Sequence, residues 1–93
     1  MNQRRWRVVI ASPAARDIDR LPMKVAAAAL EAIQSIAADP RRMGKALHLE
    51  LTGQWSARRG PYRIIYSIDD SSDTITVMAV GHRADVYQRA RRG

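Results

Sequence analysis

The segment 62–68 constrains the fold most, because its residues alternate as the two faces of a β-strand do. One face carries two tyrosines and an isoleucine: Tyr62, Ile64 and Tyr66. The other face carries Arg63 and Ile65, and an arginine among aliphatic and aromatic neighbours is unusual inside a strand. On a concave face, Arg63 beside Arg83 and Tyr87 would place two cations and a phenol around one site. The sequence therefore predicts a phosphodiester site, with RNA as the substrate to test.

Turn residues on both sides of this strand extend the pattern into a sheet. A Gly-Pro pair precedes it and the polar run 69–73 follows it, so the segments 54–59 and 74–80 are predicted hairpin partners. Alternating leucines predict a further strand or extended segment at 47–51, with one buried face. The β-branched segment 5–11 predicts an N-terminal strand at a sheet edge or beside a late strand.

Two apolar stripes at helical spacing predict a pair of helices. The first helix is expected to start with Ser12 as N-cap and Pro13 as its first helical residue, and the second to span 23–38. The residues expected to face inward are Ala15, Ile18 and Leu21 in the first helix, and Ala26, Leu30, Ile33 and Ala37, supported by Ala29 and Ile36, in the second. The charged residues of the first helix are expected to face water: Arg16, Asp17, Asp19 and Arg20.

The order β-α-α-β-β-β predicts an α+β fold of two layers, in which an N-terminal helical pair covers an antiparallel-rich sheet. The chain has 93 residues, which is enough for one modest hydrophobic core. We therefore expect a single domain over residues 1–93.

Charge narrows the class of partner. The chain has 16 basic and 9 acidic residues, and all but Lys24 and Lys45 of the basic ones are arginines. Arginine binds phosphate through a planar fork, so this surface favours a polyanion or an acidic protein. Two isolated histidines and no cysteine make a metal site improbable, and we expect no cofactor. No apolar run approaches the ~20 residues of a membrane span, so we expect no membrane contact and a cytoplasmic protein.

Several motifs, taken in order, resemble the RelE/ParE toxin superfamily of type II toxin–antitoxin pairs, and its RelE-like branch in particular. They occupy residues 14–22, 39–40, 44–45, 51–59, 62–66, 79–83 and 86–87. The resemblance spans about residues 7–88, and it implies one toxin domain of the RelE type.

For function, the resemblance implies a ribosome-dependent endonuclease that cuts messenger RNA in the A site and so inhibits translation. It implies as partners the ribosome, the mRNA and an acidic, RelB-like antitoxin, in a hetero-oligomer with the toxin. Two alternatives remain open. A ParE-like toxin would poison DNA gyrase without catalysis, and an inactive relative would only bind its antitoxin.

Metal-independent RNA cleavage needs a base for the 2′-hydroxyl proton, cations for the phosphorane charge and an acid for the leaving 5′ oxygen. By the resemblance, Arg63 contacts the transition-state phosphate, and Arg83 clamps the phosphate or donates the proton. Tyr87 is the expected base, which requires neighbouring arginines to lower the pKa of its phenol from about 10. His82 is the alternative proton shuttle.

RNA contacts outside the reacting group are expected from Arg58, Lys45 and Arg89. Arg58 and Arg59 are adjacent in a strand and point to opposite faces, so only one of them can serve the site. Some RelE-like nucleases carry a basic residue two positions before Arg58, where this chain has Ser56. His48 is expected to face solvent. Two aromatic residues, Trp55 and Tyr66, are expected to pack in the sheet, although Trp55 could instead stack on a base.

Overall fold

The computed structural model describes residues 6–82 and 85–87. Its helices are α1 (Ser12–Asp19), α2 (Met23–Ala38) and the short α3 (Pro40–Met43). Its strands are β1 (Arg7–Ile10), β2 (Lys45–Ala46), β3 (Gln54–Arg59), β4 (Tyr62–Asp69) and β5 (Thr74–His82). The strands form one sheet in the order β1-β5-β4-β3-β2, in which β1 is parallel to β5 and the other pairs are antiparallel. The predicted α+β fold is thus confirmed, with β1 at the edge beside the last strand.

The main core lies between the two long helices and one face of the sheet. Ala14 of α1 and three residues of α2 supply the buried helical side, and those of α2 are spaced four and then three positions apart: Ala29, Ile33 and Ile36. This stripe is rotated from the predicted one, because Leu30 is 44% exposed. No helix in the described part of the chain is long and apolar enough to cross a membrane.

Helix α1 docks on β5 through a buried carboxylate. Strand β1 pairs with β5 only as far as the Ala11 N–H, which donates to the Val77 carbonyl at 3.0 Å. Further along β5, the Val80 N–H donates to Oδ2 of Asp17 at 3.0 Å. The expectation that Asp17 faces water was therefore wrong, because its side chain satisfies a backbone donor beyond the end of β1.

The start of α1 also differs from the prediction. Ala11 occupies the N-cap position without a side-chain cap, and Ser12 is already the first helical residue. Ala14, rather than Ala15, is buried.

The leucine-rich segment after β2 is not a strand. Strand β2 ends at Ala46, and a 3₁₀ turn occupies Leu49–Leu51. Leu49 has φ 58° and is 85% exposed, whereas Leu51 is buried. The Leu51 N–H donates to the His48 carbonyl at 3.1 Å and the Thr52 hydroxyl donates to the Leu49 carbonyl at 2.7 Å. These local bonds replace the inter-strand hydrogen bonds of the predicted strand. The alternation of leucines was therefore not the signal of a strand here.

A register shift between β4 and β5 changes which residues share a face. Ile65 pairs with Ala79, but its neighbour Tyr66 pairs with Val77, so Met78 is an extra residue in β5. A bulge of this kind reverses the alternation of side chains beyond it. As a consequence Val77 and Val80, which are three positions apart on either side of the bulge, both belong to the core under the helices.

Candidate functional site

A second, smaller cluster covers the sheet face opposite the helices. Ile65, Ala79 and Val86 are its buried members, and Leu47, Met78 and Tyr87 pack around them. Val86 is fully buried and belongs to a helical turn at residues 85–87. Its burial anchors the turn against the sheet, and the neighbouring Tyr87 is held beside β3 and β4 in this way.

A cleft of about 590 Å³ lies on this same side, between the sheet, the segment from α3 to the 3₁₀ turn, and Tyr87. Its polar lining consists of four cationic residues and three neutral or titratable ones: Arg42, Lys45, Arg58, Arg63, His48, Ser56 and Tyr87. The predicted residues Arg63, Arg58, Lys45 and Tyr87 thus line one cleft. An anion is the ligand that this set of side chains fits.

Two arginines lie directly opposite each other in the floor of this cleft. Arg58 of β3 pairs in register with Arg63 of β4. Like charges at such positions destabilise a sheet. Within residues 6–82 and 85–87 neither guanidinium has an ion-pair partner, and the Nε of Arg58 makes only a long contact, 3.4 Å, to the Gly60 carbonyl. An anionic ligand would remove this repulsion.

The Tyr87 hydroxyl lies 3.0 Å from Oγ of Ser56. Ser56 is two residues before Arg58 on β3, so both side chains project from the same face of the strand. Ser56 pairs with Lys45 on one side and with Ile65 on the other. Ser56 therefore contacts the phenol of Tyr87 directly.

Arg59 lies on the other face of the sheet, as the alternation predicts. Its guanidinium contacts the carboxylate of Glu31 on α2 at 3.0 Å. A second ion pair on the periphery joins Arg41 to Asp70 at 2.7 Å. Of the two adjacent arginines, only Arg58 lines the cleft.

The two histidines lie on different sides of the sheet. His82 stacks on Tyr62 with ring centroids 4.6 Å apart, and Tyr62 lines a small apolar pocket beside α2. The extra residue in β5 turns His82 toward this side, so the structure does not bring it together with the cleft residues. His48, which we expected simply to face solvent, is exposed and lines the cleft.

Arg83 and Arg89 lie outside the described residues. Sequence reasoning missed Arg42 and His48 as cleft residues, because Arg42 lies in the short helix α3 and His48 in the loop after β2, where strand alternation gives no information. Their proximity in sequence to Lys45 was the one available signal.

The predicted packing residues lie away from the cleft surface. Tyr66 is buried, and its hydroxyl donates to the Pro40 carbonyl. Burial raises the pKa of Tyr66 to about 12, and the charge of Asp39 adds to the shift. Trp55 packs against the helix-side core, with the guanidinium carbon of Arg41 6.0 Å from the ring centroid. Neither ring belongs to the lining of the cleft.

Comparisons with known proteins agree with this fold. A family model described as "ParE toxin of type II toxin-antitoxin system, parDE" matches residues 8–87. Toxin RelG of Mycobacterium tuberculosis is 44% identical over 85 residues, which cover 90% of this chain and 98% of that protein. Toxin RelE of the same organism is 40% identical over 84 residues, which cover 89% and 87%.

A solved structure is similar over the same span. The toxin–antitoxin complex RelBE2 of Mycobacterium tuberculosis contains a chain with a TM-score of 0.80 and 41% identity, covering 85% of this chain and 99% of that one. The protein is therefore a type II toxin and belongs to the ParE toxin family. Its likeness to RelG, RelE and the RelBE2 complex identifies it further as a toxin of the RelBE kind, and the predicted RelE/ParE membership is confirmed.

Proposed function

We propose that this toxin is a ribosome-dependent endoribonuclease that cuts mRNA in the A site and thereby stops translation in the cytoplasm. The reaction is attack of a 2′-hydroxyl on the adjacent phosphorus, which needs no metal when fixed cations stabilise the phosphorane. DNA cannot undergo this reaction because it lacks the 2′-hydroxyl. The proposal rests on one observation above all: Arg58 and Arg63 lie opposite each other without carboxylate partners in the described residues, in the cleft that Tyr87 lines.

The cleft residues divide into reacting and flanking groups. Arg63 stabilises the charge of the transition-state phosphate, because it lies on the central strand β4 and is the cation of the cleft most constrained by its neighbours. Tyr87 accepts the 2′-proton. Arg83, which the resemblance assigns to the leaving oxygen, completes the reacting set in this proposal. Lys45 and Arg58 bind neighbouring phosphates of the message.

The flanking contacts can be extended from the expected set. Arg42 and His48 line the same cleft near β2, and Arg42 adds a further phosphate contact. Arg89 is a further RNA contact in this proposal. His82 is less suited to the proton shuttle than the sequence suggested, because its ring stacks on Tyr62 away from the cleft.

The antitoxin partner is supported by a relative. The RelBE2 structure is a toxin–antitoxin complex, and its toxin-like chain is 41% identical to this one. We propose that an acidic, RelB-like antitoxin binds here in a hetero-oligomer, since a chain of net charge +7 favours an acidic partner. Bound antitoxin inhibits the toxin by excluding RNA from the cleft.

Gyrase poisoning is the second candidate, because the matching family model carries the ParE name. The two functions make different demands on the cleft. A non-catalytic toxin does not need Tyr87, whereas the nuclease does.

The decisive experiment uses purified ribosomes that carry a defined message in the A site. Primer extension should show a discrete cut inside the A-site codon, with EDTA present, and no cut in the same RNA without ribosomes. Tyr87→Phe should abolish the cut and the toxicity while antitoxin binding persists. An uncut message, together with inhibition of gyrase supercoiling by the same protein, would instead support the ParE-like function. An uncut message with no inhibition of gyrase supercoiling would support the third alternative, an inactive relative that only binds its antitoxin.

A further inference from the structure

The nearest hydrogen-bonding neighbour of Tyr87 is a residue to which no role has been given. Within the described residues, Oγ of Ser56 is the hydrogen-bond partner of the Tyr87 hydroxyl, at 3.0 Å. Both atoms belong to partly buried side chains at the cleft. A contact of this length between two hydroxyl groups is a full hydrogen bond.

Ser56 is the more rigid member of this pair. Its strand is paired on both sides, with Lys45 of β2 and with Ile65 of β4. Tyr87, in contrast, lies on a helical turn whose described buried anchor is Val86. The hydrogen bond therefore ties the phenol of the turn to the sheet that carries Arg58 and Arg63, and fixes its oxygen relative to them.

The Ser56 hydroxyl can hold the Tyr87 oxygen in the state that takes up a proton. Tyrosinate has no proton to donate, so in that state the Ser56 hydroxyl is the donor and the phenolate oxygen the acceptor. The remaining lone pairs of the phenolate stay available to the 2′-hydroxyl.

We propose that Ser56 is a positioning residue that holds the Tyr87 oxygen as the acceptor of the 2′-hydroxyl proton. This inference rests on the proposed nuclease function. In the step it supports, the 2′-proton moves to the Tyr87 oxygen, the 2′-oxygen forms a bond to phosphorus, and the bond from phosphorus to the 5′-oxygen breaks. The departing 5′-oxygen takes its proton from a separate acid, and the products are a 2′,3′-cyclic phosphate and a 5′-hydroxyl.

The test compares Ser56→Ala with Ser56→Thr, which keeps the hydroxyl. Ser67→Ala is the matched control, because Ser67 lies on β4 two residues after Ile65, on the same face, and does not line the cleft. The charged and titratable groups that share the cleft with Tyr87 are unchanged in all three variants: Arg42, Lys45, His48, Arg58 and Arg63.

Single-turnover cleavage is measured on programmed ribosomes over a range of ribosome concentrations. Ser56→Ala should lower the maximal rate about tenfold, because the hydrogen bond that positions the Tyr87 oxygen is lost. The ribosome concentration for half-maximal rate should stay unchanged. Ser56→Thr should retain most of the rate, and Ser67→Ala should match the unaltered protein. An unchanged maximal rate in Ser56→Ala would overturn the proposal.

A second measurement does not depend on activity and so separates this inference from the proposed function. Tyrosines labelled with carbon-13 at Cζ are observed by NMR in the folded protein, and Tyr87→Phe assigns the resonance of interest. Ser56→Ala should change the Cζ chemical shift of Tyr87, because its hydroxyl loses a hydrogen-bond partner, and leave that of Tyr62 unchanged. A Tyr87 resonance that does not move would refute the role of Ser56, whether or not the protein cuts RNA. Absence of cleavage by the unaltered protein would refute the nuclease function instead.

Discussion

Arg58 and Arg59 are adjacent in the chain, yet their side chains lie on opposite faces of the sheet and have different neighbours. On the helix side, Arg59 contacts the carboxylate of Glu31 at 3.0 Å. On the cleft side, Arg58 faces the like charge of Arg63 across β3 and β4, and neither has a carboxylate partner within residues 6–82 and 85–87. The helix side pairs its arginine with a carboxylate, whereas the cleft side leaves its two arginines available to an anion.

The difference has an energetic meaning. Two arginines directly opposite each other on neighbouring strands destabilise the sheet. Sites that bind or react are often destabilising in the free protein, so substitutions there can stabilise the fold while they remove function. On the helix side the reverse is expected: substitutions should affect stability and leave the reaction alone.

The largest expected effect is on the cleft side. Arg63→Gln should lower single-turnover cleavage about 100- to 1,000-fold, because it removes a fixed donor to the transition-state charge. Its free energy of unfolding, measured by urea titration, should be unchanged or higher, since the repulsion with Arg58 is relieved. Cleavage that persists near the normal rate would show that the reacting phosphate does not contact Arg63.

Gly44 lies at the boundary between the two regions. It lines the cleft, and a Cβ added there would overlap the hydroxyl of Tyr66. Gly44→Ala should therefore lower the free energy of unfolding by about 2–3 kcal/mol, through overpacking and the disturbed bond from Tyr66 to Pro40. The double variant Gly44→Ala/Tyr66→Phe supplies the control, because removing the hydroxyl takes away the closest of the contacts that the methyl group would make. Its destabilisation should be smaller than the sum of the two single effects; additive effects would contradict the clash.

A helix-side change should separate stability from activity. Asp17→Ala leaves the buried Val80 N–H without the carboxylate that accepts its bond, which should cost about 1–3 kcal/mol of unfolding free energy. Cleavage by the folded fraction should remain normal. Asp19→Ala is the matched control, because Asp19 is on the same helix and exposed. Equal effects of the two substitutions would argue against the role of Asp17.

The smallest effect is expected for the ion pair between Arg59 and Glu31 on the helix side. Arg59→Gln breaks a partly exposed contact with Glu31 and should change the unfolding free energy by no more than about 0.5 kcal/mol. It should also leave cleavage unchanged, while Arg58→Gln, one residue earlier, lowers it. If both variants lose cleavage equally, the two faces of the sheet do not differ in function as proposed.

Local patterns were sufficient for the regular elements. The helix predicted at 23–38 has those bounds in the structure, because its apolar spacing and the Asp39-Pro40 boundary agree. Strand β4 alternates as expected, with Ile64 under the helices and Ile65 in the cluster on the other face. These elements bring Arg63 and Arg58 to one surface without any long-range information.

The features that failed depend on contacts between distant parts of the chain. Strict alternation along β5 from Ile75 would place His82 on the cleft face, but the extra residue at Met78 reverses its side. Asp17 has a helical position like that of any exposed residue, and its burial follows from the bond to the Val80 N–H beyond the end of β1. The turn at Leu49 is a different case, because a local side-chain bond that the leucine pattern does not reveal holds it.

The central claim is that the cleft promotes attack by a 2′-hydroxyl of the A-site codon. Its most direct test uses ribosomes programmed with four messages: one all-RNA, and three with a single 2′-deoxynucleotide at successive codon positions. We predict that the all-RNA message is cut to a 2′,3′-cyclic phosphate end, and that one of the three substitutions, at the nucleotide 5′ of the cut, abolishes cleavage. Cleavage of all three substituted messages at the normal position would contradict the claim, because the attacking oxygen could not then come from the substrate.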